Sequence, residues 1–275
     1  MWQCLDSESW TCRILFFCGL PLGAFLWYNP IRGDYVDWMQ GIYLILIGMG
    51  AGFVQRVSGF GLGIFAMVFL PHFLPAQSAA SISCLFSCVT STYNALRYRK
   101  DIAYRTALPM VAAALVTIPL AVYLSKQIPG NGFRSLLGSV LILLSLYFLV
   151  FHKHIKMKPT IRNGILAGTI GGTLNGLFST GGPPVVLYLS CAATNKAVYF
   201  ATIQFYFCFT NLYATAMRAM NGILNTQILL YAAIGVIGCM AGDYVGRIVF
   251  DKLNGTKLKR IIYLGMIISG VLMLI

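Results

Sequence analysis

The sequence predicts an all-α polytopic membrane protein. It reads as two inverted repeats, each a Gly-broken helix hairpin plus three transmembrane helices, with an extra N-terminal hydrophobic segment. Three observations predict this. Apolar runs recur along almost the whole chain of 275 residues. Two of these runs break at Gly-rich clusters in corresponding places, GAGFVQRVSGFGLGIFAMVFLP (Gly50 to Pro71) and GTIGGTLNGLFSTGGPPVVLYL (Gly168 to Leu189). The loop charges follow opposite patterns in the two halves.

The apolar runs come first. The chain is 58% hydrophobic and 10% charged, with a mean hydropathy of +0.77. A soluble core of this length has no use for so much apolar surface, whereas membrane spans need about 20 apolar residues each. The runs are continuous, not alternating, which excludes a transmembrane barrel. They divide into helices over 39–57, 62–74, 77–97, 104–125 and 133–151, then 161–178, 183–193, 197–218, 226–249 and 257–274. The short second helix of each set follows a Gly-rich break and returns to its starting side, and three full spans follow it. The two sets align at a spacing of roughly 120 residues, which puts Gly61 opposite Gly181 and Tyr93 opposite Tyr213. Domain organisation follows: 1–38 as an N-terminal extension, 39–151 as the first repeat, 152–162 as a basic linker and 163–275 as the second repeat. Within the extension, the apolar stretch 14–28 reads as an additional membrane helix, not a signal-like segment. Asp6 and Glu8 precede it and no A-x-A site follows.

The net charge of +13 resides mainly in short loops, where it sets topology and does not bind nucleic acid. The loop after the third helix is basic in the first half (Arg97, Arg99, Lys100, Arg105), and the next carries only Lys126 and Arg134. The linker is basic again, with Lys153, Lys156, Lys158 and Arg162. In the second half the order swaps. Arg218 followed by NGILN is nearly neutral, and the next loop holds Lys252, Lys257, Lys259 and Arg260. With the basic loops cytoplasmic, a hairpin plus three spans per half inverts one half relative to the other, as in many secondary transporters. A bacterial inner (plasma) membrane is the expected location, with the lipid bilayer as partner.

The breaks are the expected substrate site, because irregular backbone at membrane depth persists only beside protein or a cavity. Gly59, Gly61 and Gly63 in one half, and Gly181 and Gly182 in the other, allow tight turns and close approach. Pro183 and Pro184 suit the start of a helix. Each restarting helix offers free amides and a partial positive charge, and two such ends together would cradle an anion. Ser58, Ser179 and Thr180 add hydroxyls, Asn175 precedes the second break by a turn, and Arg56 lies in the first broken segment. The expected partner is therefore a small anion. Helix packing by the glycines and interfacial snorkelling by Arg56 are the plainer readings of the same residues.

Asp243 and Arg247 share a helix face, as an ion pair or as a coupling site. Asp243 is the one acidic residue in the repeat spans and so the one candidate for coupling to a proton. Gln204, Asn211, Tyr93 and Asn94 are candidates to line a pathway or to bond neighbouring helices. The eight cysteines lack zinc-type spacing and read as small buried hydrophobes, and His152-Lys153-His154 reads as linker. No metal or cofactor is expected. The oligomeric state is left open.

At the breaks, SGFGLG (58–63) and STGGPP (179–184), and at Pro71, the chain resembles the TauE/SafE family of sulfite and organosulfonate exporters, over roughly residues 39–275. The first motif departs from the family's denser glycine run at Leu62. The resemblance implies transport of small sulfur-containing anions and no enzymatic activity. An intramembrane hydrolase with Ser58 or Ser179 as nucleophile is an alternative, short of a base. A membrane-protein assembly factor using Arg56 is another. The sequence contains no Walker A pattern that would point to direct ATP use.

Overall fold

The computed structural model describes residues 27–28, 35–36, 38–151, 159–249, 267 and 269–274. Two units are distinguished, Met1–Gln40 and Gly41–Ile275. In the first, Trp27–Tyr28 pairs antiparallel with Tyr35–Val36, in register Trp27 to Val36 and Tyr28 to Tyr35. The expected helix over 14–28 otherwise lies outside the described residues. So do Cys4, Cys12 and Cys18, the linker residues His152 to Lys158 and the basic loop from Lys252 to Arg260.

The second unit is helical. Helix α1 spans Trp38–Ser58 and α2 spans Leu62–Phe69, continued by a 3₁₀ turn over Leu70–His72. Then follow α3 (Ala76–Arg97), α4 (Tyr104–Gln127) and α5 (Gly130–Phe151). The second set is α6 (Ile161–Phe178), α7 (Gly182–Ala192), α8 (Lys196–Met220) and α9 (Thr226–Val249), with further helix at 269–274. Observed ends fall within about three residues of those the apolar pattern predicts. Three of these helices, α1, α4 and α9, are long and apolar enough to cross a membrane. Apolar side chains turned outward, such as Leu96, Val116, Leu143 and Ile237, give the bundle a surface suited to lipid.

The helix ends follow local chemistry. Thr160 caps α6 by accepting from the Asn163 amide, and Asn195 caps α8 by accepting from Val198. The paired prolines open α7, where their missing N–H groups break no helical bond. Helices α1 and α6 end where the backbone turns left-handed, at Gly59 (φ 80°) and at Ser179 (φ 58°). Glycine takes that conformation without strain, whereas Ser179 is a non-glycine residue held in it.

Two glycine seams organise the bundle. A methyl added at Gly48 or Gly52 of α1 would meet the α9 carbonyls of Gly235 or Cys239, at 2.3 and 2.1 Å. One added at Gly168 of α6 would lie 2.3 Å from the Met110 carbonyl of α4, and one at Gly172 would lie 2.6 Å from the Ala114 Cα. Small residues let these backbones touch, the usual way to pack helices where lipid removes the hydrophobic drive. The seams exchange partners between halves: α1 packs on α9, and α6 packs on α4. Helices α3 and α8 pack on each other, and α5 meets the last helical residues through Gly138 and Gly270.

Candidate functional site

The two breaks meet. A methyl on Gly63, in the first turn of α2, would lie 1.9 Å from the Ser179 carbonyl oxygen. One on Gly182 would lie 3.2 Å from the Phe60 ring. Between them is a cavity of ≈ 10 Å³, about the room of one water molecule, and smaller than any sulfur oxyanion. Its walls come from both breaks: Gln55, Gly61, Leu62, Gly63 and Ile64 from the first, and Asn175, Ser179, Thr180 and Gly182 from the second. Ser87 of α3 and Phe207 of α8 complete it.

The two sides offer different donors. The first turn of α2 presents the backbone amides of Leu62, Gly63 and Ile64, which have no acceptor within their own helix, and no side chain caps that end. The first turn of α7 is poorer in amides, because Pro183 and Pro184 follow Gly182. Side chains supply the second break instead. Asn175 Nδ2 and Thr180 Oγ1, each on a residue 1% exposed, have no hydrogen-bond partner among the described residues. Ser83 Oγ is likewise unpartnered, and it lies 3.7 Å from where the Gly63 methyl would sit.

The first break is closed by side chains. Thr90 Oγ1 donates to Gln55 Oε1 (3.0 Å), Gln55 Nε2 to Gln204 Oε1 (2.9 Å) and Gln204 Nε2 to the Gly59 carbonyl (3.0 Å). Gln204, a candidate pathway residue, therefore braces the break and does not line the cavity. Ser58 turns its hydroxyl onto the Val54 and Phe60 carbonyls and also stands outside the cavity wall. Ser179 lines the cavity while donating to the Ala80 carbonyl at 2.7 Å. Each serine hydroxyl donates to a carbonyl and neither reaches a base.

Arg56 occupies a separate cluster. It donates to Tyr98 Oη at 2.6 Å and to Asn94 Oδ1 at 3.4 Å, beneath the rings of Tyr98 and Phe200. Asn94 Nδ2 donates to Asp243 Oδ1 at 2.9 Å, and Arg247 pairs with Asp243 Oδ2 at 3.1 Å. Tyr93, about a third exposed, lies over the Arg247 guanidinium. Arg56, Asn94, Tyr93, Asp243 and Arg247 thus form one network joining α1, α3 and α9, with none of them in the cavity wall. Asn211 sits on α8, where its oxygens accept from the Cys84 thiol. Gly59 and Gly181 stand just outside the wall. Gly181 is pressed against Gly171, whose carbonyl oxygen would lie 2.2 Å from an added methyl.

Several of these residues carry no signal of their own in the sequence. Gln55, Ser83, Ser87 and Thr90 look like ordinary small or polar residues of a hydrophobic helix. Arg218 was counted as a loop charge, whereas α8 continues to Met220 and buries Arg218 completely. The signal was available: Gln55 stands 120 residues before Asn175, at the same point of its helix. Among the described residues no group of three or more His, Cys, Asp or Glu gathers as a metal site.

Three helices long and apolar enough to cross a membrane, in a bundle with an apolar outer surface, suit an integral membrane protein, and its two broken helices bring donors to one small cavity. The family model described as "Sulfite exporter TauE/SafE" matches residues 44–273, and the chain belongs to that family, one of transporters and not of enzymes. It is 25% identical over 209 residues to a protein of Cupriavidus necator named "Probable sulfite/organosulfonate exporter TauE", covering 74% of this chain and 80% of that one. No solved structure matches.

Proposed function

We propose that the chain is a secondary transporter that exports a small anion, sulfite or an organosulfonate, by alternating access at the two helix breaks. One observation carries this reading: donors from both breaks line one small cavity with no acidic side chain in its wall. Amide, hydroxyl and carboxamide N–H or O–H groups in a low-dielectric site favour an anion. The family and the named relative supply the sulfur-containing substrate class.

Alternating access fits the cavity's size. It is too small for the substrate, so the breaks must part to load it, and the bundle has natural units for that motion. The exchanged seams support two repeats related by a pseudo-twofold axis, and the opposite loop-charge patterns support their inversion. Elements of the second half begin or end 120 residues after their counterparts: Phe178 after Ser58, Gly182 after Leu62 and Lys196 after Ala76. The repeats, the cytoplasmic placement of basic loops and the inner-membrane location belong to this reading. Asp243, 2% exposed and linked to Asn94 and Arg247, is the carboxylate through which a proton would couple.

The test is flux in proteoliposomes loaded with sulfite, sulfoacetate, sulfate, lactate or phosphate at two pH values. Saturable efflux of sulfite or sulfoacetate, above that of lactate and phosphate, is the expected result. No saturable flux of any of these anions would sink the proposal.

A further inference from the structure

Among the described residues, Arg218 is the largest side chain that the fold buries completely. It sits near the end of α8, where Nη1 donates to Ser81 Oγ at 3.2 Å and Nη2 to the Gly176 carbonyl at 2.8 Å. Its Nε has no partner, and among the described residues no carboxylate pairs with it. The Asp243 carboxylate is engaged elsewhere, by Asn94 and Arg247. The Cys84 thiol beside it hydrogen-bonds Asn211 and Thr215. A fully buried cation held by neutral dipoles alone is costly, and within a membrane protein such charges mark substrate pathways.

Its position is specific. Gly176, whose carbonyl it grips, follows the cavity residue Asn175 in α6, so the guanidinium is fixed to the last turn before the second break, one residue from the cavity wall and outside it. By the spacing of 120 residues, Arg218 falls opposite Tyr98 and Gly176 falls opposite Arg56. Each half therefore ties the end of its broken helix to its third helix through one arginine, taken from opposite members of the pair. In the first half the arginine reaches Asp243 through Asn94. In the second, no acidic side chain among the described residues meets it.

Among the described residues, the buried side-chain atoms without a partner are Ser83 Oγ, Asn175 Nδ2, Thr180 Oγ1, Tyr206 Oη, Asn211 Nδ2, Arg218 Nε and Arg247 Nε. All can donate a hydrogen bond. Gly171 places the Tyr206 hydroxyl beside the second break as well, 2.8 Å from where its own methyl would be.

We infer that Arg218 is the charge that selects the transported anion: the counter-ion the protein withholds from it is the substrate. The anion is a small oxyanion, held at the second break by Arg218 with Asn175, Thr180 and Ser83 as neutral donors. This rests on the transport reading above. Arg218 and not Arg56 supplies the charge, because Arg56 already has a network of its own.

The test combines flux in proteoliposomes with thermal unfolding of the purified full-length protein, with and without sulfite. The parent protein should be stabilised by sulfite. Arg218→Gln should lose that stabilisation and raise KM for sulfite by about 30-fold or more. Its midpoint without sulfite should equal or exceed the parent's, since an unpaired buried charge has been removed. Arg218→Lys should keep part of the sulfite response, and Cys84→Ser all of it. Unchanged KM in Arg218→Gln, with a midpoint lower in both arginine variants, identifies a structural arginine and overturns the inference. Loss of flux in Cys84→Ser makes a thiolate the counter-ion and overturns it too. If the parent moves no anion, the transport reading itself has failed.

Discussion

The two breaks share a length and a place in their halves, yet they are finished differently. At the first, side-chain polarity is used up: Thr90, Gln55 and Gln204 form a chain ending on the Gly59 carbonyl. What it leaves open is backbone, the first-turn amides of α2. At the second, prolines remove much of the backbone donation, and Asn175, Thr180 and Arg218 leave side-chain donors unpartnered. The two breaks thus share a geometry and differ in chemistry: backbone amides stand open at the first, and side-chain donors at the second.

The comparison is broken most directly at the point of contact. Gly63→Ala puts a methyl 1.9 Å from the Ser179 carbonyl, which cannot be met without moving one break. Overpacking of this kind costs about 1–3 kcal/mol, and here it also separates the two donor sets. Flux should fall below detection while the thermal midpoint drops by several degrees. Retained flux would mean that the breaks need not touch for transport.

A smaller effect separates the roles of the two sides. Thr180→Val keeps the volume and removes an unpartnered hydroxyl, so stability should hold or rise while KM for sulfite increases about tenfold, the worth of one hydrogen bond to a charged ligand. Gln55→Met, at the equivalent place of Asn175, does the reverse. It leaves Gln204 Oε1 without its donor, while Thr90 keeps the Phe86 carbonyl, and costs about 1–3 kcal/mol of stability, with KM changing less than about threefold. Unfolding curves and initial-rate flux on the same preparations distinguish the two patterns. A KM effect larger in Gln55→Met would reverse the assignment.

Much of this fold was legible because a membrane imposes it. Helix ends could be placed from apolar runs, and both breaks from Gly59, Gly61, Gly181 and Gly182, since few other sequences stop and restart a helix in lipid. The meeting of the breaks was legible as an expectation from their matching positions. The donors were less so. Arg56 drew attention as a charge in a broken segment, yet it bonds Tyr98 and Asn94 across to α3, a contact no spacing within α1 reveals. Arg218 was hidden by its place near a helix end, where an arginine usually reaches water. Only the packing of α3, α6 and α8 around it shows that it does not.

The Arg56 network bears on the comparison too, since it stands where the second half has its solitary arginine. Asp243→Asn keeps the shape and the Asn94 contact while removing the charge facing Arg247. Arg247 is partly exposed, with a side chain 24% accessible, so the ion pair is screened and its loss should cost about 1 kcal/mol or less. If Asp243 couples a proton, the variant should also lose the pH dependence of sulfite flux between two buffered pH values. Unaltered pH dependence would leave Asp243 as a brace holding Arg56 away from the substrate.

The smallest expected difference lies between two serines that look equivalent in sequence. Ser58 donates to the carbonyls of Val54, in its own helix, and of Phe60, two residues on, so Ser58→Ala removes only local bonds and should change stability by about 1 kcal/mol or less and leave flux within twofold. Ser179 donates across to the Ala80 carbonyl of α3 while standing in the cavity wall. Ser179→Ala leaves that buried carbonyl short of a donor and keeps a left-handed residue without its tether, at a cost of about 1–2 kcal/mol. Its flux should fall several-fold. The ordering is what matters: a first break already closed on itself tolerates loss of a hydroxyl, and a second break that must stay open does not. Flux more sensitive to Ser58→Ala than to Ser179→Ala would show that the open chemistry lies at the first break after all.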